Sequence, residues 1–420
     1  MSKRCYSRKH NVEVIFISKS KKNRGIFARF LPIVRVLLLH QHFKTPITGG
    51  AIRSYYLAKA LVDRNSEVIV ITATNQKKPY SEVYERITIH YLPIPYDNKY
   101  GFFQRITSFV RFMLASFSQS GKLGKIDYCY AISVPLTVGI TAMWIKWRKD
   151  VPFIFEVGDL WPEAPIQMGF IRNHFLKQFL YWAEKQIYQS AHAIVGLSPA
   201  IQSSIQKIVP HKKVYNIPNF ADCDFYKPIY SEGKQKLVVS YIGAIGLANG
   251  LDYLIECANN CRKANLPIQF VICGEGALRE RLENNAKHLQ LQNLTFIDFQ
   301  DRAGVLKVMD ATDVCFVSYK RLPVLETGSP NKFFDGLAAG KLIVTNFGGW
   351  IAHEIEEARC GFSVDPNNPL DFVVKIKPFL ADEKMLQQYQ QAARALAERK
   401  FSRKILSEQF VNLFAWKNEK

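Results

Sequence analysis

Lys332 and Asp335 stand three residues apart in a stretch that begins Glu326-Thr327-Gly328-Ser329-Pro330-Asn331. Ser329 suits an N-cap and Pro330 the first helical position, so the pattern predicts a helix from Pro330. Lys332 and Asp335 then share one helix face. The strand-like run Val314 to Ser318 lies just upstream, which puts the helix start at the carboxyl edge of a sheet. Unpaired N–H groups and the positive end of the helix dipole make that edge a site for phosphate-bearing ligands. A cation for phosphate and a carboxylate for hydroxyl groups are presented together. The same spacing also fits a solvated ion pair on a surface helix, so the neighbouring elements decide between the two.

Those neighbours are apolar runs that end in glycine or charge. In the second half, Leu237 to Ile242 predicts a strand running into a loop with Gly243 and Gly246, followed by a helix over Leu251 to Arg262. Ile268 to Cys273 runs into Gly274-Glu275-Gly276, and strands at Leu294 to Ile297 and Leu342 to Thr345 complete an α/β pattern. In the first half, Ile33 to Leu39, a loop ending Thr48-Gly49-Gly50, a helix to Asp63 and a strand from Glu67 form a βαβ unit without the GxGxxG fingerprint. Glu156 to Glu163 places carboxylates and an indole at another strand's carboxyl end. Asp159 is the candidate there, with a turn-capping Asp as the bland reading. A boundary falls at Ile217-Pro218-Asn219-Phe220-Ala221-Asp222, where turn residues separate the two halves.

A chain of 420 residues with 48% hydrophobic residues has material for two cores. The net charge of +20 implies attraction to nucleic acid, an anionic membrane surface or a phosphorylated substrate. Residues 1–31 read as a basic leader without a signal peptide's apolar core. No run reaches the length of a spanning helix; Ile132 to Ile145 comes nearest and reads as a buried element beside the sheet. Eight scattered cysteines without CxxC favour the cytoplasm and no zinc site. Phe102, Ile106, Phe109, Met113 and Phe117 share a helical stripe flanked by Arg105 and Arg111, and Phe170 to Trp182 is a second aromatic segment with Arg172, His174 and Lys177. Such stripes are often core, and they also suit an anionic leaflet.

Taken in order, Gly49-Gly50, the EV-x-DLWP run at Glu156 to Pro162, IPNF-x-D at Ile217 to Asp222, the Gly243 loop, Gly274-Glu275-Gly276 and P-x-K-x-x-D at Pro330 to Asp335 resemble family-4 glycosyltransferases of the GT-B fold, particularly bacterial O-antigen and capsule enzymes similar to fucosamine transferases. The resemblance implies two Rossmann-like, doubly wound domains facing across a cleft. Residues 32–218 would form the acceptor domain, 219–400 the nucleotide-sugar domain, and 401–420 a helix (Ser402 to Trp416) crossing back. It implies a retaining transfer, needing no cofactor or metal, from a nucleotide-sugar, expected to be a UDP-sugar, to a lipid-linked saccharide at the cytoplasmic face of the membrane. Asp335 would contact the ribose, and Lys332 and the N–H groups near Asn331 the diphosphate. Gly49, Gly50, Gly243, Gly246, Glu275, Glu326 and Ser329 would complete the donor site. Asp159 would orient a reacting sugar, and Phe102, Arg105, Phe109, Met113 and Arg172 would meet acceptor and membrane. The chain departs from the family at Asp335 (usually Glu), Thr327 (often Glu), Ala244 and Asn249 (often Arg and Lys) and Gly158 (commonly Arg). The alternatives are a nucleotide-sugar epimerase of the same fold and a polyanion-binding protein. No nucleic-acid-binding signature is present.

Overall fold

Short apolar runs with turn residues at both ends become parallel strands buried on both faces. A computed structural model describes residues 34–47, 52–97, 100–230 and 233–414. The basic leader and Gly49-Gly50 lie outside the described residues. The strands are β1 Arg35–Leu39, β2 Glu67–Thr74, β3 Tyr80–Tyr84, β4 Ile87–Pro93, β5 Tyr128–Ile132, β6 Phe153–Val157, β7 Ala193–Gly196 and β8 Val214–Asn216, then β9 Leu237–Ile242, β10 Ile268–Cys273, β11 Leu294–Ile297, β12 Val314–Val317, β13 Leu342–Thr345 and β14 Gly361–Ser363.

They form two sheets. The first has the order β3-β4-β2-β1-β5-β6-β7-β8 and is parallel except for β3, a polar edge hairpin strand that periodicity does not reveal. The second, β11-β10-β9-β12-β13-β14, is parallel throughout. In each, the order reverses beside the first strand, so crevices open between the carboxyl ends of β1 and β5 and of β9 and β12.

Alternation along β1 divides the first core. Leu37 and Leu39 pack with the helices Phe102–Lys122, Thr137–Lys149 and His174–Ser190. Val36 and Leu38 face the opposite way, onto the helix Arg53–Asp63 and the chain's last helix, Arg403–Val411. Leu406 and Phe410 carry that last helix's packing on the first sheet. The helix ends before the expected Trp416, which lies outside the described residues. The Phe102–Lys122 helix turns the stripe containing Phe109 inward: Phe109 is 4% exposed and packs edge-on against Trp161. Met113 is half-buried. Phe109 does not form the surface face expected of it.

One buried ion pair ties these pieces together. Glu156, mid-strand among apolar neighbours, is 1% exposed, and Arg53 holds it in a two-pronged grip at 3.2 and 3.0 Å. Tyr130 donates its hydroxyl to the same carboxylate. Arg53 also donates to the carbonyls of Pro218 (2.6 Å) and Ile217 (2.8 Å), which begin the link between the sheets. Glu156 is thus an anchor of the fold, where the sequence places it in the ligand crevice. Removing one partner of a buried pair leaves the other charge uncompensated. Arg53→Met should cost about 3–5 kcal/mol of unfolding free energy in a urea melt; a loss below about 1 kcal/mol would mean that Glu156 finds other compensation.

Candidate active site

The helix that carries Lys332 and Asp335 spans Asn331–Ala338. Phe333, Phe334 and Leu337 are fully buried against the second sheet and Trp350, which leaves Lys332 and Asp335 on the opposite face, toward the cleft. The helix starts one residue later than predicted, with Pro330 as N-cap and no side-chain cap. Ser329 is taken by a longer-range contact. Its hydroxyl accepts from the backbone N–H of Asn219 (3.2 Å), and its carbonyl accepts from the Asn219 side chain (2.5 Å).

Lys332 and Asp335 line a cavity of about 500 Å³ together with Gly243, Ala244, Gly274, Glu275, Phe299, Arg302 and Asn331. Two glycines let the backbones close in around it. A Cβ at Gly243 would sit 3.1 Å from Lys332 Cε, and one at Gly274 (φ +146°) would lie 2.0 Å from the carbonyl oxygen of Gly243. Only glycine fits at 274. The Lys332 ammonium lies 5.0 Å from the centre of the Tyr241 ring and 5.8 Å from that of Tyr319. Desolvation pulls its pKa down to about 8, against the opposing pull of Cys315 and Asp335. Desolvation also pushes the Asp335 carboxyl up to about 7, with Asp222 adding to the rise and Arg302 and Lys332 opposing it. In both groups desolvation disfavours the charged form, a perturbation of the kind that marks a candidate functional site.

Sequence reasoning missed Arg302. It ion-pairs with Asp222 at 2.5 Å and lies 3.8 Å over the Phe225 ring. Asp222 also holds Arg403 of the last helix at 3.0 Å. Arg302 brings a second cation to the cavity, which Lys320 and Arg321 do not line. Arg53 lines the same cavity but is committed to Glu156 and the two carbonyls.

A second cavity, about 640 Å³, shares Ala244 and Glu275 with the first and lies between the two sheets. An aromatic group, Tyr96, Tyr100, Phe102, Phe109, Trp161 and Phe170, lines part of it. Among the described residues Arg105 is its one lining Lys or Arg, and it donates to the Tyr100 carbonyl at 2.9 Å. Asp159 lines it as well, with its carboxyl pKa raised by desolvation. Tyr319 borders the same cavity, and desolvation, with the Asp159 charge adding to it, raises the pKa of its hydroxyl. Gly246 belongs to this cavity and not to the first. Of the remaining expected residues, Glu326 lines neither cavity. Its carboxylate lies toward Gly348, 3.8 Å from where a Cβ there would stand. Arg172 is exposed and donates to the Gly169 carbonyl at 3.3 Å.

The segment that leads into the Lys332 helix is bonded to the first half of the chain. The N–H of Val324 donates to Gln167 (3.1 Å), and Ser198 donates its hydroxyl to the Thr327 carbonyl (2.6 Å). A sequence signal existed for one missed partner only: Glu156, charged inside an apolar strand, demands a cation such as Arg53.

Similarity to known proteins follows the same division. The family described as "Glycosyl transferases group 1" matches residues 223–396, and the "Glycosyl transferase 4-like domain" matches residues 48–219. A putative colanic acid biosynthesis glycosyl transferase, WcaI, of Escherichia coli is 26% identical over 226 residues, which make up 50% of this chain and 54% of that protein. The chain spans about half the length of the curated relatives it matches. Sucrose-phosphate synthase of Thermosynechococcus elongatus has a similar fold, with a TM-score of 0.73 at 16% identity over 91% of this chain and 98% of that one. Anabaena Alr3699/HepE, solved with UDP and glucose, gives 0.66 at 15% identity over 91% of this chain and 100% of that one.

The raised pKa of Asp335 has a consequence for stability. A carboxyl whose pKa rises on folding carries no penalty below its unfolded value near 4 and the full penalty above about 7. Asp335→Asn should therefore be more stable than the wild type at pH 8 by about 1–3 kcal/mol, with the gain fading toward pH 4.5. Urea melts of the unliganded protein at both pH values check this; an equal difference at the two would show that the carboxylate is not desolvated.

Proposed function

The chain belongs to the family-4 glycosyltransferases of the GT-B fold, and from that membership we propose that it transfers a sugar from a UDP-sugar to a hydroxyl of a lipid-linked saccharide, with retention at the anomeric carbon, as a fucosamine-type enzyme of surface polysaccharide assembly. The observation that carries this reading is the pairing of Lys332 and Asp335 on one helix face under the Gly243 loop. Asp335 accepts hydroxyl groups of the ribose. Lys332, the N–H groups at the helix start and Arg302 meet the diphosphate.

In the proposed reaction the bond between the anomeric carbon and the phosphate oxygen breaks, and the acceptor oxygen bonds to that carbon on the same face. The acceptor proton passes to the departing phosphate oxygen. No pair of carboxylates of the hydrolase kind is required. The rate gain comes from fixed charge at the leaving group, where Lys332 acts as a point charge in a dry site. Asp159, in the adjoining aromatic cavity, orients a sugar hydroxyl. Aromatic faces such as Trp161 and Tyr96 suit the apolar faces of sugar rings, and the enzyme works at the inner leaflet, where lipid-linked acceptors reside. No helix among the described residues is long and apolar enough to cross a membrane, so the association would be peripheral. The epimerase and polyanion-binding alternatives have no comparable support.

Thermal-shift measurements test the donor site. UDP at roughly a hundred times its dissociation constant should stabilise the wild type by about 2.7 kcal/mol. GDP should do less, and Asp335→Ala should abolish the shift; a well-folded protein indifferent to UDP would end this reading. The pH profile supplies a separate test. Donor binding needs Asp335 ionised and Lys332 protonated, so kcat/KM should be bell-shaped, falling below about pH 7 and above about pH 8. Lys332→Ala should lower kcat about 100-fold or more, and Lys332→Arg should move the alkaline limb to higher pH.

A further inference from the structure

A sugar carried on a diphosphate that Lys332 holds lies where the two cavities meet, and the second half of the chain offers it few polar side chains there. Glu326 lines neither cavity, and the Thr327 hydroxyl donates to the Val324 carbonyl at 2.7 Å. Among the described residues of that half, only Glu275 and Tyr319 bring polar side-chain groups to the aromatic cavity. Glu275 is exposed and ion-pairs with Arg279 at 3.2 Å. Tyr319 is half-buried, and its hydroxyl has no hydrogen-bond partner among the described residues. The other ring beside Lys332 differs in this respect: the Tyr241 hydroxyl donates to the Ala244 carbonyl at 2.7 Å.

The fold holds the Tyr319 ring firmly. Its backbone N–H donates to the Asn346 side chain at 3.0 Å, and its ring packs against that of Phe347 at 5.1 Å. On either side of it, the Ser318 hydroxyl and the Lys320 N–H donate to the carbonyls of Asn249 and Ala248, each at 2.7 Å. The ring centre lies 5.8 Å from the Lys332 ammonium, and the hydroxyl lies beside Gly328, 3.5 Å from where a Cβ there would stand. Desolvation and the Asp159 charge both keep the hydroxyl protonated, and so able to donate. A rigid donor without a partner, at the joint between a phosphate-binding lysine and a carboxylate from the other half of the chain, is a group that a ligand oxygen satisfies.

We propose that Tyr319 reads the donor sugar, its hydroxyl donating a hydrogen bond to an oxygen of the sugar that the diphosphate carries. Asp159 and Tyr319 come from different halves of the chain, so a sugar at the joint is met by both. A site built to hydrogen-bond a substrate oxygen discriminates against sugars that lack it, which makes Tyr319 a specificity-determining residue. This deepens the donor site proposed above and rests on that reading, while its test needs neither acceptor nor turnover.

The experiment is titration calorimetry of the full chain, wild type and Tyr319→Phe, with UDP, UDP-glucose, UDP-galactose and UDP-N-acetylglucosamine. Phenylalanine keeps the ring and its packing on Phe347 and removes only the hydroxyl. UDP, which has no sugar, should bind both proteins equally, and the melting temperature should not change. The UDP-sugar that the wild type binds best should bind Tyr319→Phe about fivefold to tenfold more weakly. A variant that keeps wild-type affinity for every sugar, or one that loses UDP and UDP-sugar alike, overturns the proposal and leaves Tyr319 a packing residue. A wild type that binds UDP and none of the UDP-sugars overturns it as well, with the nucleotide site intact. A wild type that does not bind UDP defeats the donor-site reading itself.

Discussion

The grip of Arg53 on Glu156 is the constraint from which the arrangement of the cleft follows. Arg53 sits at the start of the first helix, Glu156 is next to last in β6, and the two carbonyls the guanidinium also holds begin the link to the second sheet. Three separately encoded pieces thus converge on one planar cation, whose fixed fork suits several acceptors at once. The desolvation of both charges is offset because both carboxylate oxygens are bonded. The loop bearing Asp159 starts two residues beyond Glu156, so the same pair sets the place of the first domain's carboxylate and the start of the link.

From that link the constraint passes to the second sheet. Asn219 holds Ser329, and Asp222 holds both Arg302 and Arg403. The Lys332 helix is fixed from below by Phe333 and Phe334 and at its entry by Asn219, so little freedom is left to the two charged residues it presents. Rigid support of this kind lets a site keep a lysine and an aspartate away from water when no ligand is bound, at a cost in stability that the surrounding core offsets.

Sequence reasoning reached what is local. Runs such as Ile268 to Cys273 and Leu237 to Ile242 became strands with the expected bounds, because a fully buried parallel strand needs only an apolar run between turn residues. Lys332 and Asp335 were legible because i,i+3 spacing on a helix is a local fact. Ser329 was misread because a partner 110 positions away displaced a local cap. Phe109 and Phe103 illustrate a second limit. Periodicity finds the stripe that contains Phe109 without saying whether it faces the sheet, and Phe103, outside that stripe, is the exposed one. Arg302 carries no local signature at all, since its place in the cavity depends on Asp222 and Phe225, far away in the chain.

The segment 323–329 shows how far long-range contacts shape the cleft. It belongs to the second sheet's side, yet Gln167, Ser198 and Asn219, all from the first half or the link, each bond to it. Gln167 ends the short helix Glu163–Gln167 that follows the Asp159-Trp161 loop, and its amide also reaches back to Glu163 at 2.6 Å. Val324, which Gln167 holds, stands eight residues before Lys332. The contacts tie the short helix Glu163–Gln167, beside the aromatic cavity, to the segment that leads into the Lys332 helix.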